Sequence, residues 1–210
     1  MSRPTLVLLH GWGFAPDFWD TLAAQFPALL PDCDAVRLDM GFFGPRRLDL
    51  PDGPLVGVGH SLGFARLLHD FPGRFQALVS LGGFTRFPVA PGPVRAMRRG
   101  LARDANAVLT GFHALCGVPG HPLPEEPHAE RLIQGLDMLL QWDLDAALDA
   151  LETPLLALAA ADDAVVSVEY ARLRFAGRLT ELSGGGHAFP ITRAGECAAH
   201  IARFLERAWA

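Results

Sequence analysis

Short, unbroken apolar runs alternate along this chain with longer stretches in which apolar residues recur every three or four positions. Residues 5–9, 34–40, 55–58, 76–81, 155–160 and, more weakly, 178–182 are predicted strands, bounded by glycine, proline or acidic residues. Residues 17–30, about 62–70 and 194–208 carry the spacing of one helix face. Strands rich in apolar residues, rather than apolar at every second position, belong in a sheet covered on both sides. Their alternation with helices predicts a mostly parallel α/β fold. Two stretches break the alternation. The link 41–53, GFFGPRRLDLPDG, is barely long enough for a crossover helix, which predicts that one is missing there. Residues 84–152 fall between two strands and carry helical patterns at 94–112 and 129–151. They are expected to form an inserted cap, hinged at its proline- and glycine-rich stretches 88–93 and 117–127.

Composition narrows the picture further. The chain has 210 residues, half of them hydrophobic, enough for one core, so residues 1–210 are expected to form a single domain. A formal net charge of −5 gives no general attraction to nucleic acid or to anionic membranes, and neither is an expected partner. Cys33, Cys116 and Cys197 are odd in number and lack metal-ligand spacing. They suggest neither a disulfide framework nor a metal site. The first apolar run stops at His10, too early for a membrane span or a secretory signal, and a cytoplasmic setting is the expectation.

The chemistry concentrates where an apolar strand meets a helix, at Gly59-His60-Ser61-Leu62-Gly63. A serine on a sharp strand-to-helix turn exposes its hydroxyl above the sheet, and glycines two positions away on either side keep the turn free of collisions. The following helix N-terminus favours developing negative charge. A serine hydroxyl is a weak nucleophile, so this reading requires a histidine base and a carboxylate to orient it. His187, in the loop GGGHAF, is the strongest base candidate. The other histidines, among them His69, His113, His121, His128 and His200, are expected to be surface or internally satisfied groups, while His10 and His60 are expected to steady their loops. Asp162 and Asp163, at the end of a core strand, both offer a carboxylate, and only one can face the imidazole.

The order serine, acid, histidine, together with LLHGWG at residues 8–13, GHSLG, the Asp162-Asp163 strand end and GGGHAF, resembles the α/β-hydrolases over nearly the whole chain. The resemblance implies a catalytic triad of Ser61, Asp163 and His187. Asp163 is preferred because it follows a small residue, Ala160, by three positions and precedes Val166-Ser167. It also implies an oxyanion hole from the Trp12 and Leu62 backbone N–H groups, each donor typically worth about 3 to 4 kcal/mol. Trp12 is placed to wall an acyl pocket as well. The reaction implied is ester hydrolysis through an acyl-serine, with no metal or organic cofactor. An aspartate-nucleophile dehalogenase is disfavoured by Ser61.

Substrate choice falls to the expected cap. Arg95, Arg98, Arg99 and Arg103 recur at spacings that would place them on one helix face beside Met97 and Leu101, a basic stripe in an acidic chain. Such a stripe is either a solvated face or a docking surface for an acidic partner. With GLDMLLQWDLDAAL at residues 135–148, these features are similar to the pimeloyl-acyl carrier protein methyl ester esterases of biotin synthesis. That resemblance implies a carrier-bound ester, with an acyl carrier protein held by these arginines. The short 41–53 link departs from that family, which usually has a helix there. A general small-acyl carboxylesterase, a carbon-carbon bond hydrolase and a non-catalytic binding protein of the same fold share these features.

Overall fold

A computed structural model describes residues 4–124 and 126–209. Residues 1–3, 125 and 210, which the expected domain and cap include, lie outside the described residues. Six strands, β1 (Thr5–Leu9), β2 (Asp34–Leu38), β3 (Leu55–His60), β4 (Ala77–Leu81), β5 (Leu155–Ala160) and β6 (Leu179–Leu182), pair in the order β2-β1-β3-β4-β5-β6, every pair parallel. β3, β4 and β5 are buried along their whole length, as their largely apolar sequences require, with His60 and Ser80 the buried polar residues among them.

Helices α1 (Asp20–Ala23), α2 (Phe26–Leu29) and α10 (Ala194–Ala208) pack together over the sheet. α3 (Leu62–Asp70) lies against β3, and its Phe64 meets Phe175 at the end of α8 (Val168–Arg174). The region 17–30, expected as one helix, is instead a 3-10 turn at Pro16–Trp19 followed by α1 and α2. Pro27 is the reason: it has no N–H to donate, and its ring cannot follow a continuous helical turn. Phe18, Trp19, Leu22 and Phe26 are buried all the same.

Residues 39–54 contain no helix, so the β2–β3 crossover is bare chain closed by an Asp39–Arg47 bridge. Three of its carbonyls are satisfied from outside. Arg131 donates to the carbonyls of Gly41 (2.8 Å) and Gly44 (2.5 Å), and Phe42 accepts from the His128 N–H at 2.7 Å.

Between β4 and β5 stand α4 (Pro91–Leu101), α5 (Ala105–Leu115), α6 (Ala129–Gln141) and α7 (Asp145–Asp149). The expected 94–112 helix is divided because Asp104 accepts from the Ala107 N–H and caps a new helix. At the base of the insertion, the Leu144 N–H donates to the Thr85 carbonyl and Arg86 pairs with Asp143. Among the described residues no helix is long and apolar enough to cross a membrane. A short helix, α9 (Phe189–Thr192), precedes α10.

Candidate active site

Four loops converge at the carboxyl ends of β1, β3, β5 and β6, the end of a parallel sheet where ligands bind. Ser61 follows β3 with φ 54° and ψ −122°, and it is the one non-glycine among the described residues with a left-handed φ. The turn is possible because its neighbours lack side chains. A Cβ on Gly59 would stand 2.3 Å from the Phe64 Cα, and one on Gly63 would stand 2.1 Å from the Leu9 carbonyl oxygen.

His187 arrives on the loop after β6, where Gly185 and Gly186 both have positive φ. Its Nε2 lies 2.9 Å from Ser61 Oγ, and its Nδ1 lies 2.8 Å from Asp163 Oδ2. The other Asp163 oxygen accepts the Val165 and Val166 N–H groups, both at 2.8 Å. That carboxylate is therefore satisfied on both sides with Nδ1–H facing it, which leaves Nε2 free to accept the serine proton. All three side chains are buried, His187 completely.

Asp162 does a different job. Its Oδ1 accepts the Gly186 N–H at 2.8 Å, and such backbone donors hold its carboxyl below the ordinary aspartate range. The adjacent acids divide the histidine loop between them: Asp163 meets the ring and Asp162 meets the backbone.

Trp12 and Leu62 both belong to turns that adjoin Ser61. Leu62 opens α3, and Trp12 follows Gly11, where a Cβ would stand 3.1 Å from Ser61 Cβ. Neither backbone N–H has a hydrogen-bond partner among the described residues. The Trp12 ring is 2 % exposed. It donates from Nε1 to the Leu132 carbonyl at 2.8 Å and meets Phe112 edge-on at 4.9 Å.

His60 is buried, stacks on Phe18, and donates from Nε2 to the His187 carbonyl at 3.0 Å. Burial first, and then His187 beside it, push its pKa well below that of an ordinary histidine. His10 bridges Gly11 and Asp39. His113, expected to be a surface or satisfied group, is 1 % exposed. Its Nε2 lies 2.7 Å from the Gly13 carbonyl oxygen, and its Nδ1 has no partner. No local sequence signal marks it, since Gly13 is 100 positions away.

The arginine stripe is only partly assembled. Arg95, Arg98 and Arg99 are exposed on α4, but the helix ends at Leu101, so Arg103 sits in the following turn and does not share the helix. Arg98 pairs with Asp137 of α6 at 2.9 Å, and among the described residues no ion pair engages Arg95, Arg99 or Arg103.

No protein-family model matches the chain. Curated proteins do. A pimeloyl-[acyl-carrier protein] methyl ester esterase of Stenotrophomonas maltophilia is 29 % identical across 96 % of this chain and 93 % of its own length. The protein of that name from Methylococcus capsulatus is 28 % identical, with 79 % of each chain covered. Among solved structures, an esterase from Exiguobacterium antarcticum superposes with a TM-score of 0.81 at 16 % identity, covering 98 % of this chain and 92 % of that one. An enol-lactonase from Burkholderia xenovorans superposes with a TM-score of 0.80 at 16 % identity over the same shares. The fold is that of the α/β-hydrolases.

Proposed function

We propose that this chain, which has the α/β-hydrolase fold, is a serine carboxylic-ester hydrolase. One observation carries the reading: Ser61 Oγ, His187 and Asp163 form a continuous hydrogen-bonded relay of 2.9 and 2.8 Å inside a buried site. Ser61 attacks the ester carbonyl as His187 Nε2 takes its proton, and Asp163 steadies the resulting imidazolium. The Leu62 and Trp12 N–H groups receive the oxyanion. His187 then returns the proton to the leaving alcohol. Water, activated by the same histidine, releases the acid from Ser61. Every atom in this cycle comes from the ester, from water or from the chain itself.

The finer reading is that the ester is carrier-bound, a methyl ester on a pimeloyl-acyl carrier protein. Its support is twofold: the curated relatives bear that name over most of their length, and the α4 end of the insertion carries Arg95, Arg99 and Arg103 without ion-pair partners among the described residues. In this reading, residues 84–152 act as a cap that receives an acidic carrier protein on Arg95, Arg98, Arg99 and Arg103 while the acyl arm reaches Ser61.

Methanol release from pimeloyl-acyl carrier protein methyl ester, measured beside hydrolysis of p-nitrophenyl butyrate for wild type and Ser61→Ala, tests both levels. Loss of both activities in the variant, with strong preference for the carrier ester, is the expected result. Cleavage of the small ester alone would keep the triad and remove the carrier partner. Turnover that does not depend on Ser61 would remove the serine mechanism.

A further inference from the structure

We propose that His113 is a positioning residue for the oxyanion loop, fixing the Trp12-Gly13 segment through the Gly13 carbonyl; this rests on the esterase reading above. His113 lies on α5, a helix of the insertion, yet its buried Nε2 is 2.7 Å from the Gly13 carbonyl oxygen on the loop after β1. A carbonyl can only accept, so Nε2 carries the proton. The ring is held in that orientation by stacking on Phe14 at 4.6 Å and 14°. Burial, the largest influence, lowers the pKa of His113, in keeping with a neutral ring.

The segment is gripped from its other side as well. The Trp12 indole donates to the Leu132 carbonyl of α6, and Gly135 lies so close that a Cβ there would stand 2.6 Å from the Trp12 ring. A third tie joins the insertion to the histidine loop, where the Ala188 N–H donates to the Cys116 carbonyl at 2.9 Å. The Trp12-Gly13 segment is therefore held by two helices that belong to neither β1 nor its loop.

A leucine would fill the space beside Phe14 without burying a polar ring. What the histidine adds is a fixed donor to the carbonyl of a glycine held at φ +72°.

Three substitutions separate positioning from packing. His113→Gln places an amide N–H near the position of Nε2, His113→Asn places it near Nδ1, and His113→Leu removes it. kcat and KM for p-nitrophenyl butyrate, affinity for an alkylboronic acid that forms a tetrahedral adduct, and Tm are measured for each. In Asn and Leu, kcat and boronate affinity are expected to fall on the order of 10- to 100-fold with KM changed less than about threefold. Gln is expected to stay within about threefold of wild type, since it restores the donor.

Wild-type kcat and boronate affinity in Asn and Leu, even with lowered Tm, would reduce His113 to packing and overturn the proposal. So would a Gln variant as impaired as Leu. Should Leu fail to fold, the Gln and Asn pair decides alone. Ser61→Ala, run in the same assay, keeps the two levels apart: absence of Ser61-dependent turnover in the wild type overturns the esterase reading and this inference together. Ser61-dependent turnover indifferent to His113 overturns this inference only.

Discussion

Ser61 occupies a backbone conformation that costs a non-glycine residue on the order of 1 to 3 kcal/mol, and the surrounding contacts must hold it there. Gly63 shows how tightly they do so. A methyl group on it would lie 2.1 Å from the Leu9 carbonyl and 2.5 Å from that of His10, both backbone atoms that cannot swing aside. Gly63→Ala is therefore expected to destabilise the protein by roughly 2 to 3 kcal/mol or more through overpacking, and to lower kcat by separating the elbow from the Trp12 loop. Urea denaturation and ester kinetics check this, and wild-type stability in the variant would mean that β1 and α3 do not meet as described. These glycines were legible in the sequence because a sharp turn constrains residues two positions away. The meeting of Ser61, His187 and one of two adjacent acids was legible because strand ends in a parallel sheet collect on one side. His113 was not legible, because its role depends on a contact between an inserted helix and the first loop.

Elements were readable where one physical rule governed them and misread where two competed. The buried strands followed from continuous apolar runs, and the bare 39–54 crossover followed from chain length alone. Apolar spacing at 17–30 was overridden by Pro27, and spacing at 94–112 by the Asp104 cap. α8 went unread: only seven residues long, it is opened by Ser167, which accepts the Tyr170 N–H. The second break changes the expected arginine surface, because Arg103 leaves the α4 face and Arg98 is engaged by Asp137. If α4 receives an acidic carrier protein, reversing Arg95 and Arg99 to glutamate should raise KM for the carrier ester by roughly tenfold or more, with the effect shrinking at high salt. kcat and KM for p-nitrophenyl butyrate should hold, since neither residue touches the triad. Equal impairment on both substrates would assign these arginines to folding rather than docking. Reversal of Arg98 is the less informative change, because it would also place like charges together against Asp137.

At the scale of the whole molecule, the aromatic cluster around the loop after β1 couples stability to pH. His60, His113 and His121 gather around Phe14 and Phe18, and all three have pKa values lowered first of all by burial. The charged groups facing them are few: Asp17 acts on His113 and His121 in the opposite sense, and His187 and His10 reinforce the effect on His60. The unfolded chain binds protons on these histidines below about pH 6.5, whereas the folded chain keeps them neutral. Stability therefore rises with pH through this window and is lost as pH falls below about 6.5, by up to about 1.4 kcal/mol per pH unit for each fully buried histidine. His60 should approach that limit, while the partly exposed His121 should contribute less. Urea midpoints at pH 7.5 and 5.5 read the effect above the range where carboxylates titrate. The wild type should be clearly weaker at the lower pH, and His113→Gln, with one titrating group fewer, should show a smaller difference between the two. A wild-type midpoint that does not move between these pH values would mean that the cluster accepts protons as readily folded as unfolded. The tight aromatic packing that fixes the His113 ring against Gly13 would then be too loose to hold it.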